Sequence, residues 1–193
     1  MKKQKSELPP DFIIHQRRTV CENSKFNVYF DHVESGSVFE IRDFLVVSPK
    51  VKLDNLVTGC AVLPVVGDQF ALLKIFRHPV REYSWEIPRG FVESVESMNA
   101  SALRELKEET GLVCDEKKLI PMGQITPEAG ILEARIQLFA ALDCYEDRPF
   151  QPNEMGHREM KLFSKTEIEE MAQNSIIQDP ATLITYYRYL QNK

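Results

Sequence analysis

Residues 90–112 read GFVESVESMNASALRELKEETGL. Gly90 is followed after five residues by Glu96, and after seven more by Arg104, Glu105 and Leu106. Glu108 and Glu109 come next, and the stretch closes on Gly111 and Leu112. The pattern predicts a helix over 97–110, with Ser97 as N-cap and Gly111 where a left-handed C-cap belongs. On that helix Glu105, Glu108 and Glu109 stand at i, i+3 and i+4, so their carboxylates share one face. Leu103 and Leu106 fall largely elsewhere and can face a core. Three carboxylates that close repel one another unless cations sit among them. Mg²⁺ suits the arrangement, because it is hard, prefers oxygen and bridges carboxylates to substrate phosphates. Mn²⁺ accepts the same ligands. Gly90 follows Trp85-Glu86-Ile87-Pro88-Arg89, and a glycine there lets a carbonyl approach a metal. Arg104 can brace Glu96 or Glu86 by a bidentate pair. An acidic amphipathic helix alone is usually no more than a solvated face. Here both glycines, two apolar positions and the charges are specified jointly.

The rest of the chain is consistent with such a site on a folded domain. Its 193 residues suffice for one sizeable core. A net charge of −5 argues against general binding to nucleic acid or membrane surfaces, so an anionic substrate needs local basic groups or metal. Cys21, Cys60, Cys114 and Cys144 form no CxxC pair, which points to reduced thiols and a cytoplasmic protein rather than a zinc site or disulfide framework. The start, MKKQKSELPP, is polar and lacks the apolar run of a signal peptide.

Residues 1–10 read as a loose tail. The stretch 13–47 has a β-like pattern, with a turn at 34–37. Residues 57–66 and 69–76 flank Gly67-Asp68 as a hairpin. Further strands are expected at 119–122, 136–142 and 161–164, a long loop at 144–158, and two helices at 165–174 and 180–191. Strands, an inner helix, more strands and then helices suggest a mixed α/β or α+β fold.

The 90–112 pattern matches, without a departure, the signature of the Nudix hydrolases, which this chain resembles. The resemblance implies an α/β/α sandwich with a mixed sheet, the signature forming a loop-helix-loop. It implies Mg²⁺-dependent hydrolysis of a nucleoside diphosphate linked to another moiety. By position, Glu105 and Glu109 would be the main metal ligands and Glu108 a further ligand and catalytic carboxylate. The Arg89 carbonyl would be a backbone ligand, with Glu96 and Arg104 as supports.

The flanks are similar to one branch, the ADP-ribose and nucleoside diphosphate sugar pyrophosphatases. Phe76-Arg77-His78-Pro79-Val80-Arg81 and Trp85-Glu86-Ile87-Pro88-Arg89-Gly90 resemble that branch's YRxPV…WExPAG segment, with Arg89 in place of its small residue. Pro127 follows Leu112 by fifteen positions, in TPEAGIL, as in that branch. The resemblance implies cleavage of ADP-ribose, or a related nucleoside diphosphate sugar, to a nucleoside monophosphate and a sugar phosphate. Arg77 and Arg81 are candidate phosphate or ribose contacts, Trp85 a candidate adenine platform, and Glu133 a candidate pocket residue. The general base in this branch is a loop glutamate before the last strand. Glu154 fits first and Glu159 second, with His157 as an alternative. The branch also implies a homodimer, with residues 1–50 as tail and β-rich dimerisation segment and 51–193 as the Nudix domain. Val28, Tyr29 and Phe30 would then be covered by the partner. Rival readings are a Nudix hydrolase of dinucleoside polyphosphates or NADH, and a non-catalytic Nudix-fold regulator that binds a ligand.

Overall fold

Apolar residues fill Val57–Val66 (β4) and Gln69–Arg77 (β5) almost without interruption, the pattern of strands covered on both faces. Gly67, at φ 59°, turns one into the other as an antiparallel hairpin. The computed structural model of the chain describes residues 9, 11–36, 38–93, 95–152 and 154–192. The tail expected at 1–10 lies, apart from Pro9, outside them, as does Ser37 of the expected turn.

The chain divides into two units. One comprises the residues up to Thr58 together with Thr126–Arg135. Among its described residues, Phe12–Glu22 (β1), Phe26–Ser35 (β2) and Phe39–Pro49 (β3) form an antiparallel sheet in the order β1-β2-β3. The segment 126–135 joins it because Val47 N donates to the Ile131 carbonyl at 2.7 Å and Glu133 N to the Val47 carbonyl at 2.9 Å. This unit thus takes in more than residues 1–50. Val28, Tyr29 and Phe30 lie on the central strand and are half-buried already; the exposed apolar side chains sit on the outer strands, among them Ile13, Ile14, Ile41 and Phe44.

The other unit holds Gly59–Ile125 and Ile136–Lys193. Its sheet runs β12-β5-β4-β10-β9, where β9 is Leu119–Ile125, β10 Arg135–Ala141 and β12 His157–Ser164. Two short strands, Glu82–Glu86 (β6) and Arg89–Phe91 (β7), pair with β5 and β4. Side chains alternate across a strand, and this splits the core in two. Leu63, Val65, Phe70, Leu72 and Leu138 face Ile168 of Lys165–Gln173 (α2) and Ala181, Tyr186 and Tyr189 of Pro180–Gln191 (α3). Cys60, Val62, Ala71, Phe139 and Ala141 face Ala102 and Leu106 of Met98–Thr110 (α1). The expected α/β/α sandwich is the observed one.

The helix ends follow from their capping residues. Ser97 Oγ accepts from Ala100 N, and Gly111, at φ 76°, donates its N–H to the Lys107 carbonyl. Asp179 caps α3 ahead of Pro180, and Ser164 and Glu167 form a capping box on α2. The loop expected at 144–158 is interrupted: Tyr145–Glu146 (β11) pairs with Leu112–Val113 (β8), and β12 begins at His157, earlier than the expected 161. Both are edge pairings made by the backbone, which residue pattern reports poorly. Among the described residues, no helix is long and apolar enough to cross a membrane.

Candidate active site

Helix α1 buries one side against the sheet and carries its carboxylates along the margin of that side. Glu105 and Glu109 are buried, and Glu108 is about half exposed. A buried carboxylate must find donors or lose its charge. Glu109 Oε2 accepts the Arg89 N–H at 2.8 Å, so β7 and the loop before it hold this carboxylate in place. Even so, burial raises the Glu109 pKa to about 8; the Arg89 N–H opposes the rise, while Glu154 and Glu105 add to it. Glu105 is also raised by burial, with Arg104 opposing.

Arg104 gathers the acids around it. Its guanidinium lies 2.8 Å from Glu105 Oε1, 3.0 Å from Glu108 Oε2 and 3.2 Å from Glu96, and it also donates to the Phe91 carbonyl. Glu96, which accepts from Ser101 Oγ at 2.9 Å, thereby links the loop to the first turns of α1. Gly90 is required by contact: a Cβ there would overlap the Glu105 carboxylate. Gly90→Ala is therefore expected to push Glu105 out of position and weaken half-saturation by divalent metal by about tenfold, while leaving α1 folded. Activity titrated against metal concentration, with circular dichroism beside it, checks this.

The loop before β12 completes the cluster. Gly156, at φ 95°, accepts the Phe76 N–H at 2.9 Å and turns the chain inward. His157 is thereby buried, its Nε2 3.6 Å from Glu109 Oε1 and 3.9 Å from Glu154 Oε2. Glu109, Glu154 and His157 each offer a ligand atom within 4.8 Å of the others. Burial lowers the His157 pKa, so the ring is neutral near pH 7, and its Nδ1 is buried without a hydrogen-bond partner.

A second network stands behind the first. Glu86, buried, receives Arg77 through two bonds, 2.8 and 2.5 Å, and Arg89 Nη2 at 2.6 Å. Arg89 Nη1 reaches Asp179 Oδ1 at 2.7 Å, and Asp179 Oδ2 caps α3 through Thr182. Asp179 was missed in the sequence, although an Asp before Pro at a helix start signals a cap. The side chain of Arg89 thus ties α3 to the loop whose N–H holds Glu109.

The structure brings only some of the sequence candidates to the carboxylates. Glu105, Glu108, Glu109, Arg89 and Glu154 are gathered there. Arg77 shares the buried Glu86 with Arg89 and stands close enough to Glu109 to favour its charged form; that engagement follows from burial, which sequence does not show. Arg81 lies exposed in a turn at φ 59°, its N–H donating to the Arg77 carbonyl. Trp85 sits on the opposite face of the sheet, edge-on to Phe163 at 4.9 Å and packed with the α2/α3 core. Alternation places it there, because Glu86, its neighbour, takes the other side. Glu159 stands on that side for the same reason: it opposes Lys74 on the Trp85 side and pairs with Lys161 at 3.0 Å and Lys74 at 3.4 Å. Glu133 belongs to the N-terminal unit, where it accepts from Lys52 at 2.9 Å.

Comparison with known proteins agrees with this geometry. The NUDIX domain family model matches residues 56–182, a span that holds α1, the β12 loop and Asp179. The chain belongs to the Nudix family. A stretch of 40 residues is 58% identical to the ADP-sugar pyrophosphatase of Mus musculus, covering 21% of this chain and 18% of that protein. Over 44 residues the chain is 48% identical to the ADP-ribose pyrophosphatase of Saccharomyces cerevisiae, covering 23% of this chain and 19% of that protein. An uncharacterised Nudix hydrolase of Schizosaccharomyces pombe is 46% identical over 54 residues, 28% and 26% of the two chains. The matched stretches thus span about a quarter or less of these relatives' lengths. A crystal structure of an ADP compounds hydrolase shares the fold, with a TM-score of 0.76 at 16% identity over 96% of each chain. The Nudix helix of this chain, α1, fits a divalent cation: its acids are crowded, burial raises the pKa of Glu105 and Glu109, and a cation between them would favour their charged forms.

Proposed function

We propose that this Nudix protein is a Mg²⁺-dependent pyrophosphohydrolase that cleaves ADP-ribose, or a related nucleoside diphosphate sugar, to a nucleoside monophosphate and a sugar phosphate. The observation that carries the reading is the meeting of Glu109 on α1 with Glu154 from the loop before β12, beside the crowded Glu105 and Glu108. The matched relatives named for ADP-ribose and ADP-sugar hydrolysis supply the substrate class.

Glu105, Glu108 and Glu109 would hold the cations, with the Arg89 carbonyl as a backbone ligand. Cations bound there supply charge neutralisation of the diphosphate and a more acidic water. Arg104 keeps Glu105 and Glu108 oriented, and the Arg89 N–H keeps Glu109 in place. Glu154, half exposed on its loop, takes the proton of the attacking water as general base. Mn²⁺ is the expected substitute metal. A homodimer formed through the β1–β3 unit, and a cytoplasmic location, complete the proposal; the exposed apolar side chains of β1 and β3 support the first.

The test is AMP formation from ADP-ribose and Mg²⁺, extended to a panel of nucleoside diphosphate sugars. No turnover on any member sinks the reading. Glu154→Gln is expected to lower kcat by about a hundredfold, as loss of a general base does, while Glu159→Gln leaves kcat within about twofold, its partly exposed ion pairs lying on the other face. Equal losses for both would remove Glu154 from its role.

A further inference from the structure

A cysteine follows β8, the short strand after α1, and another immediately precedes β11, the strand paired with it. In the β8–β11 ladder, Tyr145 opposes Val113 and Glu146 opposes Leu112. Continuing that antiparallel register by one residue sets Cys144 opposite Cys114. Directly opposed residues of an antiparallel pair have Cα atoms about 4.5 to 5.5 Å apart, inside the range of about 4.4 to 6.8 Å that a disulfide spans. Both side chains turn to the same side, into the cluster of Cys60, Leu106, Leu112 and Leu119. They interact directly, and the Cys144 thiol also donates to the Ala141 carbonyl at 3.2 Å.

The two sulfurs differ in access. Cys114 is partly exposed and Cys144 is buried. The contact with Cys144 holds the Cys114 thiol below its ordinary pKa, against the effect of burial. A more accessible, more acidic thiol beside a buried second thiol is the arrangement of an attacking and a resolving cysteine. The other two cysteines lack it: Cys21 is exposed on β1, and burial pushes the Cys60 thiol up to about 12.

We propose that Cys114 and Cys144 are a thiol-oxidation site that forms an intramolecular disulfide with hydrogen peroxide. The Cys114 thiolate attacks a peroxide oxygen, breaking the O–O bond and giving a sulfenic acid and hydroxide, which leaves as water. The Cys144 thiol then attacks the Cys114 sulfur, the S–S bond forms, and the sulfenic oxygen departs as a second water. Two thiols are oxidised and one peroxide is reduced. The bond ties the segment after α1 to the segment that already grips its end, where Asp147 N and Arg148 N donate to the Gly111 carbonyl and Arg148 Nη2 to the Lys107 carbonyl. It therefore fastens the C-terminal end of the helix that carries Glu105, Glu108 and Glu109.

The test treats the folded protein with hydrogen peroxide, alkylates the remaining thiols under denaturing conditions, and maps tryptic peptides without reduction. The expected result is a linked pair spanning 108–117 and 136–158, two hydrogens lighter than the separate peptides and released by dithiothreitol. Cys60 stays alkylatable. Cys114→Ser, at the partly exposed position, removes the linked pair and leaves Cys144 unoxidised. Cys114 found as sulfinic acid with Cys144 still a thiol overturns the proposal. So does a linked pair containing Cys21 in place of either partner. The wild-type map decides the matter even where a Cys144 variant fails to fold.

Discussion

Glu109→Gln is expected to lower kcat for ADP-ribose hydrolysis by about a thousandfold, a loss of about 4 kcal/mol of transition-state stabilisation. The same change is expected to raise the melting temperature of the metal-free protein. Both follow from one fact about its position. Glu109 is buried beside Glu105 and Glu154, and its charge is disfavoured there. Glutamine keeps the carbonyl oxygen that accepts the Arg89 N–H, so the local structure stays intact. It removes the charge that a divalent cation needs and that the empty fold tolerates poorly. Opposite signs for activity and stability are what a binding residue shows; a structural residue would lose both. Initial rates with saturating Mg²⁺, and thermal melts in chelator, measure the two. A variant that melts lower and loses activity in proportion would assign Glu109 to the core alone.

Metal affinity is expected to strengthen with pH up to about 8 and then level off. The metal-free Glu109 carboxyl binds a proton up to about that pH, raised by burial from an ordinary 4.5. A cation must displace that proton, so each unit of pH below about 8 costs about tenfold in apparent affinity per proton released. Glu105, raised in the same direction, steepens the dependence at lower pH. Folding stability without metal runs the other way. The folded state binds this proton more tightly than the unfolded chain, so the stability it contributes is present below pH 4.5 and is lost as pH rises through about 8. Titration calorimetry with Mg²⁺, repeated in buffers of different ionisation heat, counts the protons. No proton release at pH 7 would mean that Glu109 is already ionised, and would contradict the burial argument.

The acidic helix was legible because its information is local. Ser97, Gly111 and the spacing of Glu105, Glu108 and Glu109 act within a few turns of backbone, and α1 begins and ends where they require. The hairpin at Gly67 and the helix starting at Pro180 were legible for the same reason. Arg77, Trp85 and Glu159 were less so. Each is the right residue type near the right motif. Spacing already ranked Glu154 ahead of Glu159; what spacing did not show is the side of β12 that each meets, and a bulge between His157 and Glu159 resets that alternation. Residue spacing cannot report such a bulge. Nor can it report that Arg77 and Arg89 converge on Glu86, because Glu86 becomes an obligatory partner only once it is buried.

The sequence by itself determined the family, through the joint motif at 90–112, and the acidic helix and strand-helix order, through caps, turns and short-range periodicity. Tertiary structure alone decided the burial of Glu109, the faces on which Glu154 and Glu159 stand and the tie from Arg89 to Asp179. Those depend on which groups lose water together, and burial is a property of the packed sheet and helices rather than of any single stretch of chain.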